Sequence, residues 1–543
     1  MRTYLRQMAL AILTATATSA AAITLPDLPD RDGMSIKGYV HDGAMPIAGV
    51  HVSDGHSFAT TESDGSYYLP SNPDAETVFV ITPSGYNPEC TDGLSRFWAP
   101  VDNSGRTTRA DFVLTAVDDS SHKMLVLGDP QMRDDHDHGL FKSDALPDIL
   151  ATTQSLKESG ADVGMLVLGD ICFNNPETYP RYEAYWKGYN TPIYHVPGNH
   201  DKHIVSDPNA QAPEYKATFG PLYYSFNKGG IHYLMLDNIH VTGTDTYSAY
   251  PDEKQMEWIM KDLDLVEEGS RVIVCAHQPI TWTVTSRNEN ARLLQRLDRY
   301  NTLILTAHKH LGRNLEKYYD NIEERIQTAL CGAYWFGDCA KDGIDLGYYI
   351  YNIDDTDITW EYKPLKRDTD TALRINDPTI NSDRSFTFLV NIFDWDSLWK
   401  VTYSVDGTDK GELSSLETYD PHAYRLYADH VKSWCRPVAT KHIFPVRLPE
   451  GSRILEVTAT DRFGQVLRSR YEIAPDEIPD RPDTEVKGFV RCDGEGVGGV
   501  IVTNGYDFAT TNVFGIYYLP QNDKAEMVYI IPPAGYDPVT TDG

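Results

Sequence analysis

Met165-Leu166-Val167-Leu168-Gly169-Asp170 decides the fold. Four apolar residues without a polar interruption make a strand buried on both faces, and the Gly-Asp that follows ends it on a turn carrying a carboxylate. The same arrangement recurs on either side. Met124-Leu125-Val126-Leu127 runs into Gly128-Asp129, Ile193-Tyr194-His195-Val196 into Gly198-Asn199-His200-Asp201, Val272-Ile273-Val274-Cys275 into His277, and Leu303-Ile304-Leu305 into Ala307-His308-Lys309-His310. Helical periodicity over Asp252 to Val266 and Asn288 to Leu297 separates some of these runs, so the alternation predicts an α/β layered core. Ligands of open α/β sheets gather outside the carboxyl ends of the strands, and all five runs end in residues of metal-ligand type. A lone Gly-Asp is ordinarily a turn and a lone histidine a structural residue. Five such ends in this order, each at the end of a strand, predict a site.

On both sides of this core the rhythm changes. Ile36-Lys37-Gly38-Tyr39-Val40 recurs as Val486-Lys487-Gly488-Phe489-Val490, Phe58-Ala59-Thr60-Thr61 as Phe508-Ala509-Thr510-Thr511, and Tyr67-Tyr68-Leu69-Pro70 as Tyr517-Tyr518-Leu519-Pro520, always at one interval. A constant, ungapped register over so many positions predicts a duplicated domain. Short runs such as Val78-Phe79-Val80-Ile81 between Asp-Gly and Pro-Ser-Gly turns predict a small antiparallel sandwich for each copy. From about Ser385 the pattern is β again, with Phe386 to Val390, Trp399 to Tyr403 and Arg453 to Val457, and the Pro- and acid-rich segment after Ala474 is a linker.

The chain has 543 residues with 79 acidic and 48 basic side chains, a net charge of −31, and its 41% hydrophobic and 23% charged content excludes disordered and fibrous classes. Nucleic acid is excluded as a partner by the same negative field, so an acidic substrate needs local positive charge, which bound metal ions would supply. The opening Met1-Arg2-Thr3-Tyr4-Leu5-Arg6, the apolar stretch Met8 to Leu13 and the small residues up to Ala20-Ala21-Ala22 form the three parts of a signal peptide cleaved near Ala22. An exported protein, periplasmic or extracellular, follows as the expectation. No later segment reaches the roughly 20 apolar residues of a membrane span. The seven cysteines match neither a disulfide framework nor a zinc module, although Cys331 and Cys339 are near enough in sequence to bridge. Oligomeric state is left open.

The ordered set Asp129-Pro130-Gln131, Gly169-Asp170, Gly198-Asn199-His200-Asp201, His277 and Ala307-His308-Lys309-His310 resembles the calcineurin-like metallophosphoesterase superfamily over about residues 120 to 365. Each repeated copy resembles the transthyretin-like modules carried by secreted bacterial enzymes. The resemblance implies a multi-domain chain: a central αββα-type four-layer sandwich over 120–367, flanked by all-β sandwich modules. Those are a transthyretin-like sandwich over 35–116, a β-rich accessory domain over 380–473, a linker over 474–484 and a second, truncated copy of the first sandwich over 485–543, after a signal peptide over 1–22.

It further implies two divalent metal ions, of a kind open among Mn, Fe, Zn, Mg and Ca, bridged by Asp170. Asp129, Gln131 and His310 would complete one site, and Asn199, His277 and His308 the other. His200 would act as general acid or as a clamp on the transition state, with Asn199 beside it and Asp201 orienting it. A hydroxide activated by both metals would attack phosphorus in line, and a small phosphorylated compound would be the substrate. A phosphomonoester is the favoured substrate. Phosphodiesterase or pyrophosphatase action on the same site is the alternative, and an inactive glycan- or surface-binding protein is the alternative of another class.

Two departures stand out. Gln131 holds a position where the pattern has histidine, and an amide oxygen binds a metal less tightly than imidazole, so the first site is expected to be weaker. Ala307 replaces a glycine, which a backbone in an ordinary conformation tolerates. Around the site, Arg133, Asn174, Tyr334 and Trp335 are the candidate substrate contacts, while Asp134-Asp135-His136-Asp137-His138 is expected to be a solvated acidic loop. The first copy continues past Gly93 through the strand-like Arg109 to Leu114, whereas the second stops at Gly543, so the sequence is expected to be a fragment whose gene continues.

Overall fold

The structure is a computed structural model that describes residues 25–531 apart from 103, 208–209, 244–245, 286–287, 382–383, 474–484 and 526. The expected signal peptide and linker and the end of the second copy lie outside the described residues.

The central domain is built from two facing sheets. One runs in the order Ile358–Pro364, Gly347–Ile353, His122–Leu127, Asp162–Val167, Ile193–His195, Leu94–Ser95, Cys90–Thr91; the other runs Tyr224–Lys228, Ile231–Met235, Arg271–Cys275, Asn301–Thr306, Ile322–Ile326, Arg313–Tyr319. The middle strands of each sheet pair in parallel. Their continuous apolar runs follow from burial on both faces. Met124, Val126, Leu166 and Tyr194 join Leu234, Val274 and Leu305 between the two sheets. Their neighbours Leu125, Leu127, Met165 and Val167 point the other way, onto Phe141, Ile149, Tyr182 and Trp186 of the covering helices. Helices Glu253–Leu263 and Glu289–Leu297 bury Trp258, Ile259, Leu263, Leu293, Leu294 and Leu297 in the same core as the second sheet. A period of two through each strand thus gives four layers. Each fully buried aliphatic side chain contributes roughly 1.5–3 kcal/mol to that packing.

The first sandwich pairs Met34–His41 with Ser66–Pro70 and, in parallel, with Thr108–Arg109 and Phe112–Ala116; its other sheet is Phe58–Thr60, His51–Ser53, Thr77–Ile81 and Trp98–Pro100. The second copy repeats the pairings, with Lys487 opposite Tyr518 as Lys37 is opposite Tyr68, and Val502 opposite Ala509 as Val52 is opposite Ala59. The accessory region consists of two further antiparallel sheets, one holding Phe386–Ile392 and Thr440–Leu448, the other Lys400–Val405, Ile454–Thr460 and Val466–Glu472.

The structure adds one feature that the sequence did not announce and changes two expectations. The first sandwich is not closed on itself, because the Cys90–Ser95 hairpin leaves it and adds two strands to the catalytic sheet. Gly93 makes this possible: its φ is +75°, its amide donates to the Tyr189 carbonyl at 2.7 Å, and a Cβ there would lie 2.7 Å from Trp186 Cβ. Cys331 and Cys339 are both free thiols; one faces Gln131 and His310, the other the Tyr427 hydroxyl. The acidic stretch after Arg133 is a short helix, Asp135–Leu140, rather than a solvated loop. Asp134 caps it by accepting from the amides of His136 and Asp137, and Asp137 is fully buried against Arg133.

Candidate metal centre

The five strand ends meet. Gly169 and Gly198 set the approach, since a Cβ on Gly169 would come within 2.7 Å of His277 Nδ1 and one on Gly198 within 2.1 Å of Asp170 Oδ1. Asp129, Gln131, Asp170, Asn174, His308, His310, Tyr334 and Trp335 all have φ between +37° and +70°, eight of the thirteen such non-glycine residues among the described residues. Left-handed backbone of this kind costs about a kcal/mol or more per residue and gathers where geometry is imposed by a site. Ala307 is not among them, so its methyl group is accommodated in an ordinary conformation, as expected from the sequence.

Asp170 lies at the middle. Its Oδ1 accepts from the His200 amide at 2.8 Å, and its Oδ2 lies 3.2 Å from His277 Nε2 and 3.2 Å from Gln131 Nε2. Asp170, His277 and His308 together bring one ligand atom each within 4.8 Å of the others. His277 Nδ1 is bonded to the Leu168 carbonyl at 2.7 Å and His310 Nδ1 to the Gly332 carbonyl at 2.7 Å, which turns Nε2 of both rings inward, where a cation would take the place of a proton. His308 is held from outside by the Tyr247 hydroxyl, 2.6 Å from its Nε2, and points Nδ1 inward, 3.0 Å from His277 Nε2.

Electrostatics show an unmet demand for positive charge. Burial and the neighbouring Asp170 push Asp129 up to about 7. Burial works against charge on His277 too, but Asp170 outweighs it and raises the imidazole to about 9. Asp170 itself is held below the usual carboxylate range by His277 and His200 in spite of its burial. Asp129 Oδ1 and Asn199 Oδ1 are buried without a hydrogen-bond partner. An orphaned carboxylate oxygen and an orphaned amide oxygen beside inward-facing imidazoles form a hard, mixed oxygen and nitrogen donor set, and the residues present fit a divalent cation.

A cavity of about 690 Å³ opens in front of this centre. Asn199, His200, Asn174 and Tyr334 line it, together with Phe173, Lys202, Tyr247, Lys309, Lys341 and Trp434, which the sequence did not single out for this purpose. His200 does not take its orientation from Asp201. Asp201 accepts from the amides of Gly198 and Ile171 at 2.9 and 3.0 Å and from the Tyr179 hydroxyl at 2.8 Å, so it fixes the turn backbone from behind. The His200 ring is instead set by Asn174, whose Oδ1 lies 2.9 Å from His200 Nδ1, and by Phe173 stacked 4.3 Å away.

Two expected substrate contacts turn out to be structural. Arg133 forks onto Asp137 at 2.6 and 3.0 Å and donates to the Tyr334 carbonyl at 2.9 Å, and its guanidinium sits over Phe336. Trp335 is buried and donates to the Pro130 carbonyl at 2.9 Å. Both residues brace the walls and do not line the cavity. Gln131 does reach the centre, with its amide nitrogen toward Asp170 and its oxygen 3.8 Å from Cys331 Sγ. A half-turn of the amide, neutral in shape, would present the oxygen.

The accessory region completes the cavity. Trp434 stands edge-on to Tyr334 at 4.3 Å, the Tyr427 hydroxyl donates to the Cys339 carbonyl at 2.7 Å, and the Val438 amide donates to the Lys341 carbonyl at 3.0 Å. No local motif announces these contacts, because they join residues about a hundred positions apart.

Residues 122–312 match Calcineurin-like phosphoesterase, residues 34–117 and 484–543 match its N-terminal region and residues 324–467 its C-terminal region. The chain belongs to the calcineurin-like phosphoesterase family, a class of phosphoester hydrolases that use divalent metals. It is 23% identical over 189 residues to a 3',5'-cyclic-nucleotide phosphodiesterase of Nostoc sp., a match covering 34% of this chain and 68% of that protein. It is 28% identical over 132 residues to Purple acid phosphatase 13 of Arabidopsis thaliana, covering 21% of this chain and only 23% of the plant enzyme's length. Among solved structures, a purple acid phosphatase of yellow lupin aligns over 58% of this chain and 66% of its own, with 13% identity and a TM-score of 0.34.

Proposed function

We propose that this protein hydrolyses phosphate monoesters using two divalent cations held by Asp129, Gln131, Asp170, Asn199, His277, His308 and His310. The observation that carries the reading is the convergence of five strand ends on one donor set, two of whose buried oxygens have no hydrogen-bond partner. When bound, such a cation pair neutralises phosphoryl charge and makes water nucleophilic at neutral pH. The chain's own residues do the rest. Asp170 holds the His200 amide, which places the ring at the cavity wall beside Asn199. The Asn174 oxygen accepts from Nδ1–H, so the ring gives an Nε2 proton to a departing alkoxide, or shares it with a phosphoryl oxygen, when it is the imidazolium, a form that the Asn174 oxygen favours. Phe173 shields one face of His200 from water.

The monoester is favoured because it brings two negative charges to a cavity lined by Lys309 and Lys341 in a chain of net charge −31. The Nostoc relative is named a phosphodiesterase, which keeps diesters as the second reading. The test is hydrolysis of matched monoesters, diesters and pyrophosphate by protein reconstituted with Mn, Fe, Zn, Mg or Ca. Monoester turnover that chelation abolishes is the expected result. Turnover of diesters alone would reverse the preference, and no turnover with both cations demonstrably bound would end the enzyme reading.

A further inference from the structure

Lys309 and Lys341 are anomalous in this molecule. Acidic residues outnumber basic ones by 79 to 48, and cavity-lining Lys202 follows the usual rule by pairing with both oxygens of Asp237 at 2.6 Å. Lys309 and Lys341 line the same cavity, yet among the described residues neither ammonium has a carboxylate within ion-pair distance. Both are fixed at the backbone. The Lys309 amide donates to the Ala307 carbonyl at 2.8 Å, and Lys341 donates to the His310 carbonyl at 3.3 Å while accepting from the Val438 amide at 3.0 Å. Lys309 also lies over the Trp282 ring. Two half-buried ammonium groups held near one another repel, and among the described residues only the more distant carboxylates of Asp129 and Asp342 offset this, without an ion pair to either ammonium. An anion would supply that pair.

Their place indicates which anion. His200, Asn199 and His308 line the part of the cavity where the reacting phosphoryl group is expected, whereas Lys309 and Lys341 stand on the His310 side, one between two candidate ligands and the other bonded to the His310 backbone. We propose that Lys309 and Lys341 form a second anion subsite, so that the preferred substrate is a phosphate monoester carrying a second phosphoryl or carboxylate group. This rests on the phosphoesterase reading above.

The experiment compares propyl phosphate, 3-carboxypropyl phosphate and propane-1,3-diol bisphosphate on the metal-loaded protein. A wild-type kcat/KM at least about tenfold higher for a doubly anionic ester is expected, as charge-assisted contacts to an otherwise unpaired ammonium imply. The carboxylate and bisphosphate arms tell which second anion is taken. Lys341→Met should lower that ratio about tenfold and Lys341→Arg should retain it. If Lys341→Met does not fold, as judged by circular dichroism, Lys309→Gln gives the same reading. Calorimetric binding of propane-1,3-bisphosphonate against propylphosphonate reads the ratio without turnover. A lysine-dependent binding preference without hydrolysis of any ester upholds the subsite and sinks the phosphoesterase reading. Ratios that neither Lys341→Met nor Lys309→Gln changes overturn the subsite, whatever the rate of hydrolysis.

Discussion

The two halves of the proposed metal centre are made of similar residue types but are backed differently. Asp129, Gln131 and His310 are buried and closed from behind: His310 is bonded to Gly332, lies under the ring of Tyr334 at 3.9 Å and is neighboured by Cys331 Sγ. Asn199 and His308 face the cavity, and His308 leans on Tyr247, itself a cavity residue. One half is part of the core and the other part of the substrate surface. A change in the closed half should therefore act on metal retention, and a change in the open half on turnover, with Asp170 acting on both.

Asp170→Asn carries the largest expected effect. The amide keeps the shape but removes the charge that holds His277 protonatable and draws cations, so activity should fall by a factor on the order of 10³ or more together with metal content after dialysis. Metal content near wild type would show that the halves do not share Asp170. His200→Ala comes next, expected to cost about 10²–10⁴ in kcat with metal content and melting temperature unchanged. A loss of metal instead would move His200 from the open half's chemistry to the centre's scaffold.

Asn174→Ala tests a contact that the sequence left undecided. Removing the oxygen on His200 Nδ1 should lower kcat about tenfold and shift the pH profile of kcat, because the tautomer is no longer fixed. A rise in KM alone would assign Asn174 to the substrate. Smaller still is Gln131→His in the closed half, which should lower the metal concentration for half-maximal activity several-fold while leaving saturated kcat within a factor of about two. An unchanged metal requirement would remove Gln131 from the donor set.

How much of this was legible follows from where each signal sits along the chain. The strands were readable because burial on both faces leaves nothing but apolar residues, and the ligand candidates because each directly follows such a run. Helices Glu253–Leu263 and Glu289–Leu297 lie within the expected periodic segments. Arg133 and Trp335 were misassigned because adjacency to a motif carries no direction: both belong to loops that enter the site, yet their side chains turn into the wall. Trp434 and Lys341 carry no local pattern at all. Their position depends on the accessory region packing against the loop that holds Tyr334, a contact set by tertiary surfaces alone. The Cys90–Ser95 hairpin was hidden for the same reason, since two-residue strands have no measurable period.

The smallest expected effect separates the scaffold of the halves from their chemistry. Each half stands on a strand that carries its own buried histidine. His122 begins the strand that ends at Asp129, bonded to the Tyr233 hydroxyl at 2.7 Å and the Asp119 carbonyl at 3.1 Å, and burial together with Lys228 pushes it down to about 4. His195 lies on the strand that leads to Asn199, packed on Phe219 and 3.2 Å from the Tyr182 hydroxyl, and burial pushes it down to about 3. Both rings are neutral in the folded state across the range where an unfolded histidine, with a pKa of about 6.5, takes up a proton. The unfolded chain therefore binds more protons as pH falls below about 6.5, and stability drops from there toward pH 4, by about 1.4 kcal/mol per pH unit for each histidine at the steepest. Denaturant midpoints measured at pH 7, 6 and 5 should show this fall. His195→Gln and His122→Gln should each flatten it by one proton's worth while lowering stability at pH 7. A pH dependence identical in wild type and both variants would mean that other groups control the acid sensitivity, and that the two strands are not matched in this respect.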